Sequence, residues 1–592
     1  MRFKCNYVTV LRILERMLLA FPISVVLLAS SSFFFGGVCS LWQWCLAIAL
    51  TLTLPWASRS AKPDGICATV LFLLLYIGLH LVMAMTLDWP SGDHLNYHLP
   101  VIRFLCEGWN PVFDADLSQI TGKFGLMKVD PGMGYLHVAF TARTIAIFNA
   151  VAYKALRNPL SLTYPLVYFL SVSLIVRSFI SFNGKRLAPI AAFFLLCVCH
   201  FIDFGRHVDG SAMLASAGLL LVIFRNLRKG DIDVIPMIAY TFWMACLKIP
   251  CAVAAVVFWT VFLVVCIWRS KCDARRSVLV KFVAMGICVV AMFSIASFNP
   301  YGTSWRDYGH PLYPFKTVDA EKFPVHDITG DFKIGNDDYK KMGWCGLWMN
   351  AFVSPKLVQK YYCRKFGQTE FKPHSWPWGD CQDPYEGVDT PVGNGRRATI
   401  WVAIAVLLLV PCARPLALML FLSLFVLPKQ HIGYLRYMPW VDAFRALALS
   451  LALMWAVERF RCAKWMACAG VLGLLLLSFV GHLPLKADVI TEKYGELCER
   501  PREVFIKKEF TGVNNAALLM HQLGHPEVKV ALADEDARKS MRESPFGYFV
   551  PGVASYVIPG RERSGSFSRY VGYVKSLVED PRYVLRAFFV LR

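Results

Sequence analysis

Residues 234–269 read VIPMIAYTFWMACLKIPCAVAAVVFWTVFLVVCIWR. Two apolar runs, each long enough for a helix, flank a lone charged side chain, Lys248, before Arg269 closes the stretch. A helix on a soluble protein keeps a polar face for water, so runs that are apolar all round belong in a bilayer or a large core. Lys248-Ile249-Pro250 is the break, because proline removes a backbone donor and restricts the residue before it. The pattern predicts a pair of spans, 234–247 and 249–268, or one broken, re-entrant element around that step.

The same texture extends along the chain. Its 592 residues are 56% hydrophobic and 17% charged, where an ordinary soluble domain has about 45–50% apolar and about 25% charged residues. With spans of roughly 20 apolar residues, shorter where flanks snorkel, the sequence predicts about thirteen. They fall at 16–36, 38–56, 66–87, 160–180, 187–202, 210–225, 234–247, 249–268, 278–298, 398–412, 415–428, 439–457 and 465–483. Segment 133–153 is apolar but holds Arg143 and is flanked by Lys154 and Arg157, so it reads as an interfacial helix. The expected fold is an all-α polytopic membrane protein with interfacial helices in its first outer loop. A transmembrane module over 1–483 carries outer loops 88–159, 299–397 and 429–438. A small extracytoplasmic α/β domain follows over 484–592, with strand-like runs Val528–Leu532 and Tyr583–Leu585.

The net charge of +21 first suggests nucleic acid, but Lys and Arg are strung between apolar runs and do not gather in one patch. With the N-terminus in the cytoplasm, the inner loops carry Arg59/Lys62, Arg177/Lys185/Arg186, Arg225/Arg228/Lys229, Arg269/Lys271/Arg275/Arg276, Arg414 and Arg459/Arg461/Lys464. Each is basic, as the positive-inside rule requires. This parity puts the C-terminus and the long polar loops on the extracytoplasmic side. Most of the 19 Cys sit inside apolar runs as small hydrophobes. Cys345, Cys363 and Cys381 share an outer loop, where one bridge at most is expected. No cleavable signal peptide and no obvious internal repeat is evident, and the latter weighs against a carrier.

Chemistry concentrates at Asp88-Trp-Pro-Ser-Gly-Asp93-His-Leu-Asn-Tyr97-His98-Leu99-Pro100. Leu95, Leu99 and Ile102 recur at helical spacing, so an amphipathic helix is expected to begin near Asp93. Asp93 reads either as its cap or as a general base whose pKa is tuned by partial desolvation. His98 falls about one turn further on the same face. Asp114-Ala115-Asp116 is the candidate metal pair, two carboxylates able to hold Mg²⁺ or Mn²⁺ on a diphosphate, or a chance pattern in a polar loop. Asp442 and Arg445 read as a mutually satisfied i,i+3 pair.

Asp93-x-x-x-Tyr97-His98-Leu99-Pro100 after an early span resembles the first-loop motif of bacterial integral-membrane glycosyltransferases of the C-type superfamily, in the group related to protein O-mannosyltransferases and the lipid A aminoarabinose transferase. Tyr308-Gly-His310-Pro-Leu-Tyr313-Pro-Phe315 is similar to their Gly-Asn-Pro-(aromatic)-x-Pro stretch, with His310 where Asn is usual. His207-Val-Asp209-Gly210 resembles the start of a central span, and Arg436-Tyr437-Met-Pro439 the opening of a late one.

The resemblance implies transfer of a sugar from a polyprenyl-phosphate or polyprenyl-diphosphate donor to an acceptor glycan, lipid or protein outside the inner membrane. Asp93, helped by His98, would take the acceptor proton. Arg436 and Lys248 would grip phosphate, with Arg206 and Arg103 behind them, and Tyr97, Asp209, His310, Tyr313 and Tyr437 would line the substrate site. Arg436 also reads as a snorkelling interfacial residue, and Lys248 as the mark of a short outer turn. No cofactor is required for a monophosphate donor, whereas a diphosphate donor favours the divalent cation. An O-antigen ligase or polymerase-like enzyme is the nearest rival, and a lipid-sugar flippase the rival from another class.

Overall fold

The computed structural model describes residues 6–57, 62–85, 99–114, 143–156, 164–182, 207–313, 318–319, 341–353, 355–369, 394–426, 438–459, 503–506, 529–532, 542–544 and 547–549. Within these the chain is a helical membrane protein. Helices α1 (Tyr7–Phe33), α2 (Leu41–Thr53) and α3 (Lys62–Met85) come first, then the short α4 (Leu99–Cys106) and α5 (Thr144–Leu156). The central group is α6 (Tyr164–Ser181), α7 (His207–Lys229), α8 (Val234–Leu247), α9 (Ile249–Arg269) and α10 (Cys272–Ala296). Three short helices, α11 (Thr303–Tyr308), α12 (Trp344–Phe352) and α13 (Pro355–Phe366), precede α14 (Asn394–Leu409), α15 (Arg414–Ser423) and α16 (Pro439–Arg459).

Among the described residues, α1, α7 from Gly210, α9 and α10 are long and apolar enough to cross a bilayer by themselves, and shorter apolar helices surround them. Helix α7 is the axis, its apolar window wholly buried against α6, α8 and α16. Helices α9 and α10 are peripheral: Val256, Val264, Ile287 and Val290 are exposed. Such contiguous apolar surface is a liability in water and an ordinary outer face in lipid.

The break at Lys248 resolves into two helices. Lys248 is extended (φ −148°, ψ 136°), Pro250 lies in the first turn of α9, where its missing N–H costs nothing, and the Trp259 indole N–H donates to Thr241 Oγ1 at 2.8 Å. Helices α8 and α9 therefore fold back on each other as a hairpin. The α1–α2 turn is tied by Gln43, whose Oε1 accepts from Ser40 N (2.9 Å) while its Nε2 donates to Ser32 Oγ and Val38 O.

A buried ionic cluster holds one end of the bundle. The Arg177 guanidinium grips both oxygens of Glu15, at 2.6 Å from Nε to Oε1 and through Nη2 to Oε2, and donates to Asp233 Oδ2 at 3.1 Å. Arg225 Nη1 reaches the same Asp233 oxygen at 3.3 Å. The Tyr240 hydroxyl bridges Ser173 Oγ (3.2 Å) and Glu15 Oε1 (3.4 Å). Near this end Asn6 N donates to Asp64 Oδ1 at 2.9 Å, and Arg269 Nη1 to Leu227 O at 2.8 Å. Every one of these loop and helix ends carries the inner assignment from the charge pattern.

In the C-terminal region β1 (Glu503–Ile506), β2 (Lys529–Leu532), β3 (Arg542–Ser544) and β4 (Gly547–Phe549) form one sheet in the order β2-β1-β4-β3. Strand β1 pairs parallel with β2, Glu503 opposite Lys529, and antiparallel with β4, Phe505 opposite Tyr548. The run at Val528–Leu532 is thus a strand from Lys529, whereas Tyr583–Leu585 lies outside the described residues, as does the span expected at 187–202.

Candidate functional site

At the opposite end of the bundle, the segment after α4 is built around the turn Trp109-Asn110-Pro111-Val112. Asn110 Oδ1 accepts from Val112 N at 3.0 Å, the local bond that makes Asx residues turn formers. Its Nδ2 donates to Phe33 O (2.9 Å) and Gly37 O (3.0 Å), pinning the loop to the exit of α1. Asp114 closes the turn: its N–H donates to Asn110 O, its Oδ2 accepts from Asn110 N at 3.3 Å, and its carbonyl accepts from the Trp109 indole at 2.9 Å.

The segment after α10 locks onto this turn. Asn299 Nδ2 donates to Pro111 O at 2.7 Å and to Thr303 Oγ1 at 2.9 Å. Arg306 Nη1 donates to Val112 O at 2.8 Å, while its Nε and Nη2 hold the Asp307 carboxylate at 2.6 and 2.9 Å. That carboxylate raises the Arg306 pKa further above its ordinary value. Phe34 and Phe298 meet edge-on with ring centroids 4.8 Å apart. The Ser297 hydroxyl donates to Cys246 Sγ at 3.7 Å, which brings the end of α10 to the Lys248 turn.

Arg143, beside α5, is buried and sets its guanidinium 4.2 Å from the centroid of the Trp109 ring. Burial pushes it down to about 9, so it remains a cation at neutral pH. It is the cation at this end that sequence reasoning used for topology alone. The available signal was an Arg inside an apolar run, a functional suspect by default. Asn110 was also missed, although Asn-Pro is a turn signal.

Helix α11 ends at Gly309, whose φ of 74° is the left-handed conformation that glycine adopts without steric cost. His310 Nδ1 then accepts from Leu312 N at 3.0 Å. A ring nitrogen here does what an Asn Oδ1 does in an Asx turn. Tyr313 is buried and stacks on Tyr308, 4.0 Å between centroids and 11° between planes, and burial raises its phenol pKa.

The structure brings the Lys248 turn, the Tyr308–Tyr313 segment and the Asp114 turn to the same end of the bundle. Lys248 is half-buried between α8 and α9. Asp209 lies in the first turn of α7, and Pro439 opens α16. Asp442 and Arg445 pair at 2.5 Å on the first turns of α16. Asp93, Tyr97, His98, Arg206, Arg436, Tyr437 and Asp116 lie outside the described residues, as do the side chain of Arg103 and Cys381. Cys345 and Cys363 carry free thiols on α12 and α13. Among the described residues no cluster of three His, Cys, Asp or Glu side chains is arranged to hold a metal.

Helix α12 packs on the same end: the Trp401 indole of α14 donates to Phe352 O at 2.7 Å, and Trp348 stacks on Phe425 at 4.7 Å. No family model, no curated protein and no solved structure matches this chain.

Proposed function

We propose that the protein is a membrane glycosyltransferase that moves a sugar from a polyprenyl-phosphate donor to an acceptor on the extracytoplasmic side, with Asp93 as general base. The observation that carries this reading is the pair of bonds Asn299–Pro111 and Arg306–Val112. They join the loop that follows the Asp93 motif to the segment that leads into the Tyr308–Phe315 motif, at the end of the bundle where Arg143 and Lys248 lie. A polyprenyl donor keeps its tail in the bilayer and its phosphate at the headgroup level. The acid-base residue, cations and aromatic faces it needs must then share one depth at one membrane face.

On this reading, Asp93 takes the proton of the acceptor hydroxyl or amine as the phosphate departs. The sugar passes through an oxocarbenium-like state between them. Lys248, Arg436, Arg206 and Arg143 supply positive charge for the leaving phosphate, and Tyr97, Tyr313 and Tyr437 give the sugar apolar and hydroxyl-bearing walls. Asp114, whose carboxylate already receives a backbone N–H, would with Asp116 hold Mg²⁺ or Mn²⁺ only if the donor is a diphosphate. The proposal includes about thirteen spans by length and hydropathy, an inner-membrane location, a cytoplasmic N-terminus and an extracytoplasmic α/β domain after residue 484.

The test pairs an assay with an identification. Mass spectrometry of lipid that co-purifies with the protein should show a polyprenyl-phosphate sugar, and Asp93→Asn should abolish its transfer while leaving its binding within about twofold of wild type. Full transfer by Asp93→Asn removes the mechanism. Movement of the intact lipid across proteoliposome membranes with no transfer product would favour a flippase instead.

A further inference from the structure

At the end of the bundle opposite the proposed transfer site, a cavity of about 280 Å³ opens between the first turns of α1 and the last turns of α6 and α7. One wall is apolar, from Val8, Leu11, Phe179 and Ile180, and the other is cationic, from Arg12, Arg225 and Lys229. Among the described residues, the carboxylates nearby do not neutralise it. Glu15 is taken up by Arg177, and Asp233 is shared among Arg16 at 3.8 Å, Arg177 and Arg225. Asp231 is 58% exposed and 3.9 Å from Arg225 Nη2, beyond hydrogen-bonding distance.

Two guanidinium groups therefore have donors to spare. Arg225 is 1% exposed, and its Nε and Nη2 are buried with no hydrogen-bond partner among the described residues; Nε of Arg12 is in the same state. Buried, unused donors on a cation are costly, and a planar guanidinium fork satisfies them best with paired oxygens of a phosphate. Pockets for whole drug-sized ligands run to about 300–1,000 Å³. This one accommodates a phosphate and the first few atoms attached to it, with an apolar wall for the carbon chain beyond them.

We infer that this basic cavity binds the phosphate headgroup of an anionic phospholipid. The phosphodiester would lie between Arg12, Arg225 and Lys229, with the start of its acyl chains against Leu11 and Phe179. The location favours a lipid over a free phosphate: the cavity sits where apolar helices end, at headgroup depth, on the end that the positive-inside rule assigns to the cytoplasmic leaflet. The inference does not depend on sugar transfer.

The experiment uses the full chain in detergent, titrated with phosphatidylglycerol, with phosphatidylcholine of the same acyl chains, or with inorganic phosphate, and followed by native mass spectrometry and thermal unfolding. Arg225 is left intact because it holds Asp233; the variant is Arg12→Gln/Lys229→Gln at the cavity rim. Wild type should retain phosphatidylglycerol in preference to phosphatidylcholine. The double variant should lose roughly thirtyfold in that affinity, about a factor of five for each basic side chain. Arg12→Lys/Lys229→Arg, which keeps both charges, should recover most of it, and this control carries the test if the Gln variant proves unstable. Equal retention of the two lipids, or of phosphatidylglycerol by wild type and the Gln variant, overturns the proposal. So does inorganic phosphate that stabilises the protein as much as the lipid does.

Discussion

Glu15 has no side-chain partner near it in sequence; Arg177, which satisfies both its oxygens, is 162 positions away. Pairs of this kind are invisible to pattern reading, because nothing in the local periodicity of α1 or α6 says that the two will face each other. Their environments are unequal, and this makes a prediction. Removing Arg177 strands Glu15, leaving it with Tyr240 alone at 3.4 Å, and takes one of the cations from Asp233. Removing Glu15 leaves Arg177 its bond to Asp233. Arg177→Leu should therefore cost about 3–5 kcal/mol, the usual penalty for orphaning a buried charge, and Glu15→Leu clearly less. Thermal unfolding of the purified variants in detergent orders them; an equal or reversed order would show that the cluster does not work as a chain of unequal partners.

At the scale of elements, the helix boundaries are largely legible and their mutual packing is not. Pro250 and Pro439 announce the starts of α9 and α16, and the charge at Lys248 separates α8 from α9, because proline chemistry and the cost of burying a cation act locally. Gly218, in the middle of α7, looks by contrast like an ordinary small residue in an apolar helix. A Cβ at Gly218 would lie 2.1 Å from Tyr240 Cε1 and 2.4 Å from Cδ1. The α7–α8 contact thus requires glycine, the small-residue packing by which membrane helices approach closely. Gly218→Ala should displace the ring, pull the Tyr240 hydroxyl from Ser173 and cost about 1–3 kcal/mol. In a double-mutant cycle, Gly218→Ala should cost little on a Tyr240→Leu background. A full, additive penalty there would mean that the clash is relieved somewhere other than at Tyr240.

For the molecule as a whole, the strongest sequence argument is parity, and the contacts gather the same helix ends together. Asn6 meets Asp64, Glu15 meets Arg177, and Arg269 meets Leu227, each pair drawn from ends assigned inside. Phe33 meets Asn110, Pro111 meets Asn299, and Phe352 meets Trp401, each pair assigned outside. Counting 133–153 as a span would put Glu15 and Arg177, and Pro111 and Asn299, on opposite faces of the membrane, which bonds of 2.6 and 2.7 Å forbid. The candidate site is less legible than the topology, since Asn110 and Arg306 act through backbone carbonyls that no side-chain motif advertises.

Cysteine labelling reads sidedness directly. Cys345 on α12 and Cys272 at the start of α10 are both exposed. In sealed vesicles with the extracytoplasmic face outward, a membrane-impermeant maleimide should modify Cys345 at once and Cys272 only after the vesicles are opened. Cys106, on α4 at the end the charge pattern assigns outside, supplies the internal control. Burial pushes its thiol up to about 12, so at pH 8 only about one part in ten thousand is the reactive thiolate. It should stay unlabelled at pH 8 in sealed and opened vesicles alike. Immediate labelling of Cys272 with Cys345 protected would invert the topology and move the proposed transfer site to the cytoplasm.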